Sequence, residues 1–232
     1  MNPASFVIQT SEPTPALSIQ DRVEWTVSDL LTSLPHAAAL SAEQRRGIIA
    51  RYTAVLEGNF IYWMTGALLA AKSEESRVII LDNLHEEVRD CHPGMMRRFA
   101  VAAAAFPTDS DALAVSRDLM NVRLFVGRLA GVRLILMMTF FEGFLQRFMP
   151  FLAELAERQC SAEKEYTDVH GVCDIAHTEG LFRALAAEMA LDPAGCQGDI
   201  FEGVELLNTL MRTIVHFDRT YISMNASRLA TQ

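Results

Sequence analysis

The chain has 232 residues, 50% hydrophobic and 21% charged, with only 12 Gly and 8 Pro. That composition excludes collagen-like and low-complexity disordered chains and supplies ample apolar material for one large core. Lys and Arg total 20 against 29 Asp and Glu, a formal net charge of −9, which argues against nucleic acid or anionic lipid as the main partner.

Residues 1–17 carry Pro3, Ser11, Pro13 and Pro15 with little periodicity and are predicted to form an irregular arm. They lack the basic start and unbroken apolar run of a secretory signal. Residues 18–232 are predicted to form a single helical domain, because helical spacing runs almost throughout and no strand-type alternation occurs. Ser41 opens a capping-box pattern with Gln44, ahead of a helix reaching Ala71. Ser73 to Glu75 separates it from a helix that runs past Leu84 toward Pro93-Gly94, where a break is expected. Helix resumes to Ala105, and Phe106 to Asp111 is a loop. Segments 111–127 and 129–158 read as one bent helix. The stretch from Arg133 to Leu155 is the nearest approach to a membrane span, but Glu142 and Arg147 interrupt it. Helices over 165–190 and 198–226, joined by a turn at Asp192-Pro-Ala-Gly, complete an all-α bundle of about seven helices.

Nucleotide-loop, nucleophile-elbow and HExxH motifs are absent, and no Glu is followed three residues later by His. Trp25 and Trp63 are too isolated for a base-stacking platform. Cys91, Cys160, Cys173 and Cys196 are scattered without a CxxC and read as reduced thiols of a cytoplasmic protein.

The informative string is His170-Gly-Val-Cys-Asp174-Ile-Ala-His177, whose spacings of four and three place all three side chains on one helix face. Two imidazoles and a carboxylate suit Fe(II), Mn(II) or Zn(II); a surface stripe with a local His–Asp bond is the plainer alternative. Glu142 lies in a segment apolar around the whole helix, so it is buried and needs a cation or a proton. Arg133 or Arg147 could pair with it, though neither is at i±3 or i±4. In the segment from Leu81 to His92, residues Leu81, Leu84, Val88 and Cys91 define the expected buried side. On that reading Glu86 is solvated, and Glu87 and His92 meet only if the helix ends before His92. His85 is the rival ligand. Glu57 is a further carboxylate in an apolar helix: an extra ligand, a substrate anchor, or the partner of an arginine. His36 and His216 read as structural.

Taken together, Leu81-Asp-Asn-Leu-x-x-Glu87 with His92, Glu142 in its apolar helix, and His170-x-x-x-Asp174-x-x-His177 resemble the haem-oxygenase-like diiron oxidase and oxygenase superfamily. The resemblance spans the central part of the chain; one departure is the short gap between Glu87 and His92. It implies the seven-helix haem-oxygenase-like (TenA-like) bundle and six metal ligands, Glu87, His92, Glu142, His170, Asp174 and His177, with Glu57 as a recruitable extra. It further implies two Fe(II)/Fe(III) ions, O2 as co-substrate and a small substrate, with an amino acid favoured over a fatty acid. The reactions so implied are oxidative C–C cleavage, giving an alkene, nitrile or other fragment, or N-oxygenation. Phe60, Tyr62, Trp63, Phe140, Phe141, Phe144 and Phe148 supply either pocket walls or core. The competing readings are a TenA-like hydrolase using Cys91 or Cys173, a haem protein with one axial histidine, and a helical interaction module without chemistry. A homodimer is an open expectation for so apolar a chain.

Overall fold

A computed structural model describes residues 17–217. The predicted N-terminal arm and the predicted helix beyond residue 217 fall largely or wholly outside them. The described residues form eight α-helices: α1 (Ile19–Thr32), α2 (Ala42–Ala70), α3 (Glu74–Arg89), α4 (His92–Ala102), α5 (Asp109–Val126), α6 (Gly131–Glu157), α7 (Glu165–Leu191) and α8 (Glu202–His216), with short 3-10 turns at Ala37–Ala39 and Pro193–Cys196. No strand occurs among the described residues. The count exceeds seven because the segment read as one bent helix is two. α5 ends at Val126, and Leu129 adopts φ 50, which reverses the chain before Gly131 opens α6.

Local chemistry explains the boundaries. Ser18, Ser41 and Thr108 each cap a helix reciprocally with the third helical residue, Asp21, Gln44 and Asp111, so two orphan N–H groups are satisfied at each start. Asp111 also pairs with Arg46 at 2.9 Å, which ties the start of α5 to α2.

α6 is the central helix, packed against α1, α2, α7 and α8, and its contact with α7 is the most extensive in the fold. Every residue from Leu134 to Glu142 is buried, as a helix surrounded by others requires. α3 lies across α2 and α7, α4 bridges the same two helices at the other end, and α5 packs on α2 and α8. No described helix is long and apolar enough to cross a membrane.

The turn between α2 and α3 is fixed by Glu188 of α7. Its fully buried carboxylate accepts hydrogen bonds from the backbone N–H groups of Lys72 (2.9 Å) and Ser73 (2.9 Å). Charge-assisted bonds of this kind position the N-terminus of α3, and with it the register of Glu86 and Glu87. Glu188→Ala leaves two part-buried backbone donors unmet and is expected to cost about 1–3 kcal/mol, read as a lower urea midpoint at unchanged slope.

Candidate metal centre

Each predicted ligand on α7 lies on the buried face of that helix, and Glu142 faces it from α6. His170, Asp174 and His177 succeed one another along a single stripe, because steps of four and three residues return to nearly the same azimuth. Glu87 is buried near the end of α3, and His92 is the buried first residue of α4. The two meet because the helix does end between them. Arg89 closes α3, and Cys91 turns into the left-handed region at φ 56, ψ 44, so His92 starts a new axis. Its Nδ1 lies 2.7 Å from Glu87 Oε1. The short gap between Glu87 and His92 is thus bridged by a break in the helix axis within two residues.

Two donor sets result. In the first, Glu87, His92 and His170 offer ligand atoms all within 4.8 Å of one another. His170 Nδ1 lies 2.8 Å from the Tyr166 carbonyl, so Nδ1–H donates and the Nε2 lone pair faces Glu87 at 3.7 Å. Tyr166 also packs its ring on His170, centroids 4.3 Å apart, and its hydroxyl bonds that of Tyr52 at 2.8 Å. In the second set, His177 Nδ1 faces Asp174 Oδ1 at 3.7 Å and Glu142 Oε2 at 3.9 Å. Glu142 and Asp174 are each only 1% exposed.

Glu142 Oε1, Asp174 Oδ2 and His177 Nδ1 are buried and have no hydrogen-bond partner. Three such orphans side by side are expensive in a protein interior. Arginine does not relieve them: Arg133 is engaged by Glu202 and the Gln197 carbonyl, and Arg147 by Glu24 and Ser28. A divalent cation would satisfy all three at once, and the donors, imidazole nitrogen and carboxylate oxygen, are those that suit iron. The residues therefore fit a metal.

The electrostatics agree. Burial, reinforced by Asp174, pushes the Glu142 carboxyl up to about 8. Burial alone would depress His177, but Asp174, Glu142 and Glu86 outweigh it and raise the imidazole to about 11. Burial would raise Glu87, but the His170 and His92 imidazoles hold it below the ordinary carboxylate value. Burial likewise opposes a charged His170, and Glu87 reverses it, so this imidazole is raised. Without a cation, the centre offsets its negative charge by binding protons.

Three parts of the sequence reading need correction. His85 is exposed; it lies two residues, some 200°, from the inward-facing Glu87 and cannot reach the donors. Glu57 is not beside them either: it sits at a kink of α2 and pairs with Arg97, the arginine alternative. Glu86 is not simply solvated. Its Oε2 lies 2.9 Å from His177 Nε2, so it accepts from Nε2–H, fixes the proton on that nitrogen and leaves Nδ1 to ligate. The underlying error is the face of α3. Ser76, Ile80, Asn83 and Glu87 are buried, whereas Val88 is 60% exposed and Cys91 is exposed. Inward Glu87 puts Glu86 on the flank facing α7, a signal available once Glu87 is taken as a ligand. Glu86→Ala is expected to weaken metal binding about 10–100-fold, with Glu86→Gln losing less because its amide oxygen still accepts; metal titration followed by mass spectrometry reads both.

Cys173 donates to Asp174 Oδ1 at 3.2 Å, and burial together with Asp174 pushes its thiol far up. A protonated thiol is a poor nucleophile, so the arrangement opposes a Cys173-based hydrolase. His36 and His216 are exposed and away from the centre. Of the aromatic wall, Trp63, Phe140, Phe141, Phe144 and Phe148 are core, while Tyr62 is exposed.

None of the curated proteins compared with the chain matches it. Residues 49–210 match the family of iron-containing redox enzymes with the haem-oxygenase-like fold, and this span contains all six buried donors. The chain belongs to that family and is an iron-containing oxidoreductase built on the all-α haem-oxygenase-like bundle.

Proposed function

We propose that the chain is an O2-dependent, non-haem oxidase or oxygenase that holds two irons, one per donor set, and acts on a small amino acid by oxidative C–C cleavage or N-oxygenation. The observation that carries this reading is the trio of orphaned donors, Glu142 Oε1, Asp174 Oδ2 and His177 Nδ1, beside a second set of two histidines and one carboxylate. Glu87, His92 and His170 would hold one iron, and Glu142, Asp174 and His177 the other; three carboxylates and three neutral imidazoles leave room for exogenous ligands. Iron held there supplies one-electron redox chemistry toward O2. The chain's own residues do the rest. The Tyr166 carbonyl and Glu86 orient His170 and His177 through their outer nitrogens. Leu56, Phe60, Met96 and Leu145 wall a cavity that touches Glu87, His92 and His170 and keeps bulk water from them.

That cavity is about 20 Å3, room for little more than one water molecule. Any organic substrate is larger than that, so entry requires the cavity to widen along α2 and α4. A haem reading has no use for four converging carboxylates, Glu86 among them. The test is O2 consumption by iron-reconstituted protein with a panel of amino acids. His170→Ala and Asp174→Ala are each expected to lower substrate-dependent uptake by at least about 100-fold while far-UV circular dichroism is unchanged. Full uptake in either variant contradicts the ligand set.

A further inference from the structure

α2 is interrupted in its middle: Glu57 leaves the helix at ψ 97, and Gly58 takes φ 89, a left-handed conformation available to glycine without a Cβ penalty. The bend is clamped from behind. The Asn59 amide donates to the Val55 carbonyl at 2.6 Å, and Arg123 of α5 donates to Asn59 Oδ1 at 2.8 Å. In front, the bend sets Glu57 against Arg97 of α4 as an ion pair. Leu56 directly precedes Glu57, and Pro93 lies one turn before Arg97; both line the cavity that touches Glu87, His92 and His170. The pair therefore stands on the α2–α4 seam beside the cavity mouth. Inside, the lining has no charged side chain other than Glu87 and the two histidines, so charges on a substrate must be matched at the seam.

We propose that the Glu57–Arg97 pair is the recognition element for an α-amino acid zwitterion. The substrate carboxylate pairs with Arg97, its ammonium pairs with Glu57, and its apolar side chain enters between Leu56, Phe60 and Met96. One ion pair is exchanged for two. The two charges are unequal in what they tolerate: the Glu57 side chain is 25% exposed and that of Arg97 61%. A simple carboxylic acid engages Arg97 and strands the more buried Glu57, whereas a simple amine leaves only the well-solvated Arg97 alone. Selection against acids thus comes from an unpaired, partly buried charge, and the expected order of affinity is amino acid, then amine, then acid. This inference rests on the reading of the centre as an amino acid oxygenase.

The experiment uses full-length protein loaded with Zn(II), which cannot turn over, with zinc content measured first by mass spectrometry. L-Norvaline, butylamine and pentanoate, which differ only in their charged groups, are then titrated calorimetrically. Norvaline is expected to bind about tenfold or more tighter than pentanoate, with butylamine between them. Glu57→Gln is expected to abolish the preference for norvaline over pentanoate, and Arg97→Gln to weaken norvaline and pentanoate while butylamine binds as tightly or tighter, since its ammonium no longer displaces Arg97 from Glu57. Zinc-loaded protein that binds pentanoate as tightly as norvaline, fails to bind norvaline, or is indifferent to both substitutions overturns the inference and leaves the metal centre standing. Protein that takes up no zinc overturns the metal centre, and the inference with it.

Discussion

Glu142→Met is expected to yield a metal-free protein more stable than metal-free wild type by about 1–4 kcal/mol, and one that gains less stability than wild type when iron is added, because only the Glu87, His92 and His170 set remains complete. Glu142 is 1% exposed in the middle of the most apolar helix, with Oε1 unpaired and Asp174 as a like-charged neighbour. Methionine is close to it in volume and unbranched, so the packing between α6 and α7 is retained. His177 keeps Asp174 and Glu86 as partners and is not left as an isolated buried charge. A residue whose removal stabilises the empty fold is one whose presence serves function. Thermal melts with and without Fe(II) under nitrogen measure both halves of the effect. A destabilised Glu142→Met protein would mean that the carboxylate has a structural partner in the empty fold.

The second large effect is on pH. Glu142 is raised to about 8 and His177 to about 11, so near pH 7 both hold protons that a metal must displace. Iron binding is therefore expected to release roughly two protons at pH 7, and the apparent affinity to rise about tenfold per pH unit for each proton displaced. The sign for the empty protein is opposite. Both groups have folded values above their unfolded ones, so the folded state binds more protons, and stability falls as pH rises. Glu142 contributes this loss between about 4.5 and 8, and His177 between about 6.5 and 11. Glu87 is lowered instead, and the stability it contributes disappears only as pH falls below the ordinary carboxylate range. Metal-free melting temperature should thus peak in mildly acid buffer and decline toward pH 9, and iron should flatten that decline. Calorimetric titrations in two buffers of different ionisation enthalpy count the protons directly.

Much of this centre was legible in residue spacing. The HxxxDxxH string defines one face of α7 without further information, and Glu142 stands out because nothing else polar but Thr139 interrupts its segment. α3 was the opposite case. Its outer face carries Leu81 and Val88, while Ser76, Asn83 and Glu87 point inward, so a hydrophobic-face argument selects the wrong side. A helix that serves a metal site inverts its pattern because ligands, unlike core side chains, are polar. Glu86 was lost with that face, since its role depends on where α3 sits against α7. The break at Cys91 was foreseen near Pro93-Gly94, but the left-handed residue that makes it is not glycine and carries no sequence signal. The kink at Glu57–Gly58 was equally hidden, because an apolar run with one glycine reads as continuous helix.

The most direct test of the centre is metal content after anaerobic reconstitution with Fe(II), measured by mass spectrometry on wild type and Asp174→Ala and followed by an absorbance scan. The expected result is about two irons per chain for wild type and about one for Asp174→Ala, with no Soret band in either. Wild-type protein that retains no iron, or that takes up haem through a histidine instead, would contradict the two donor sets.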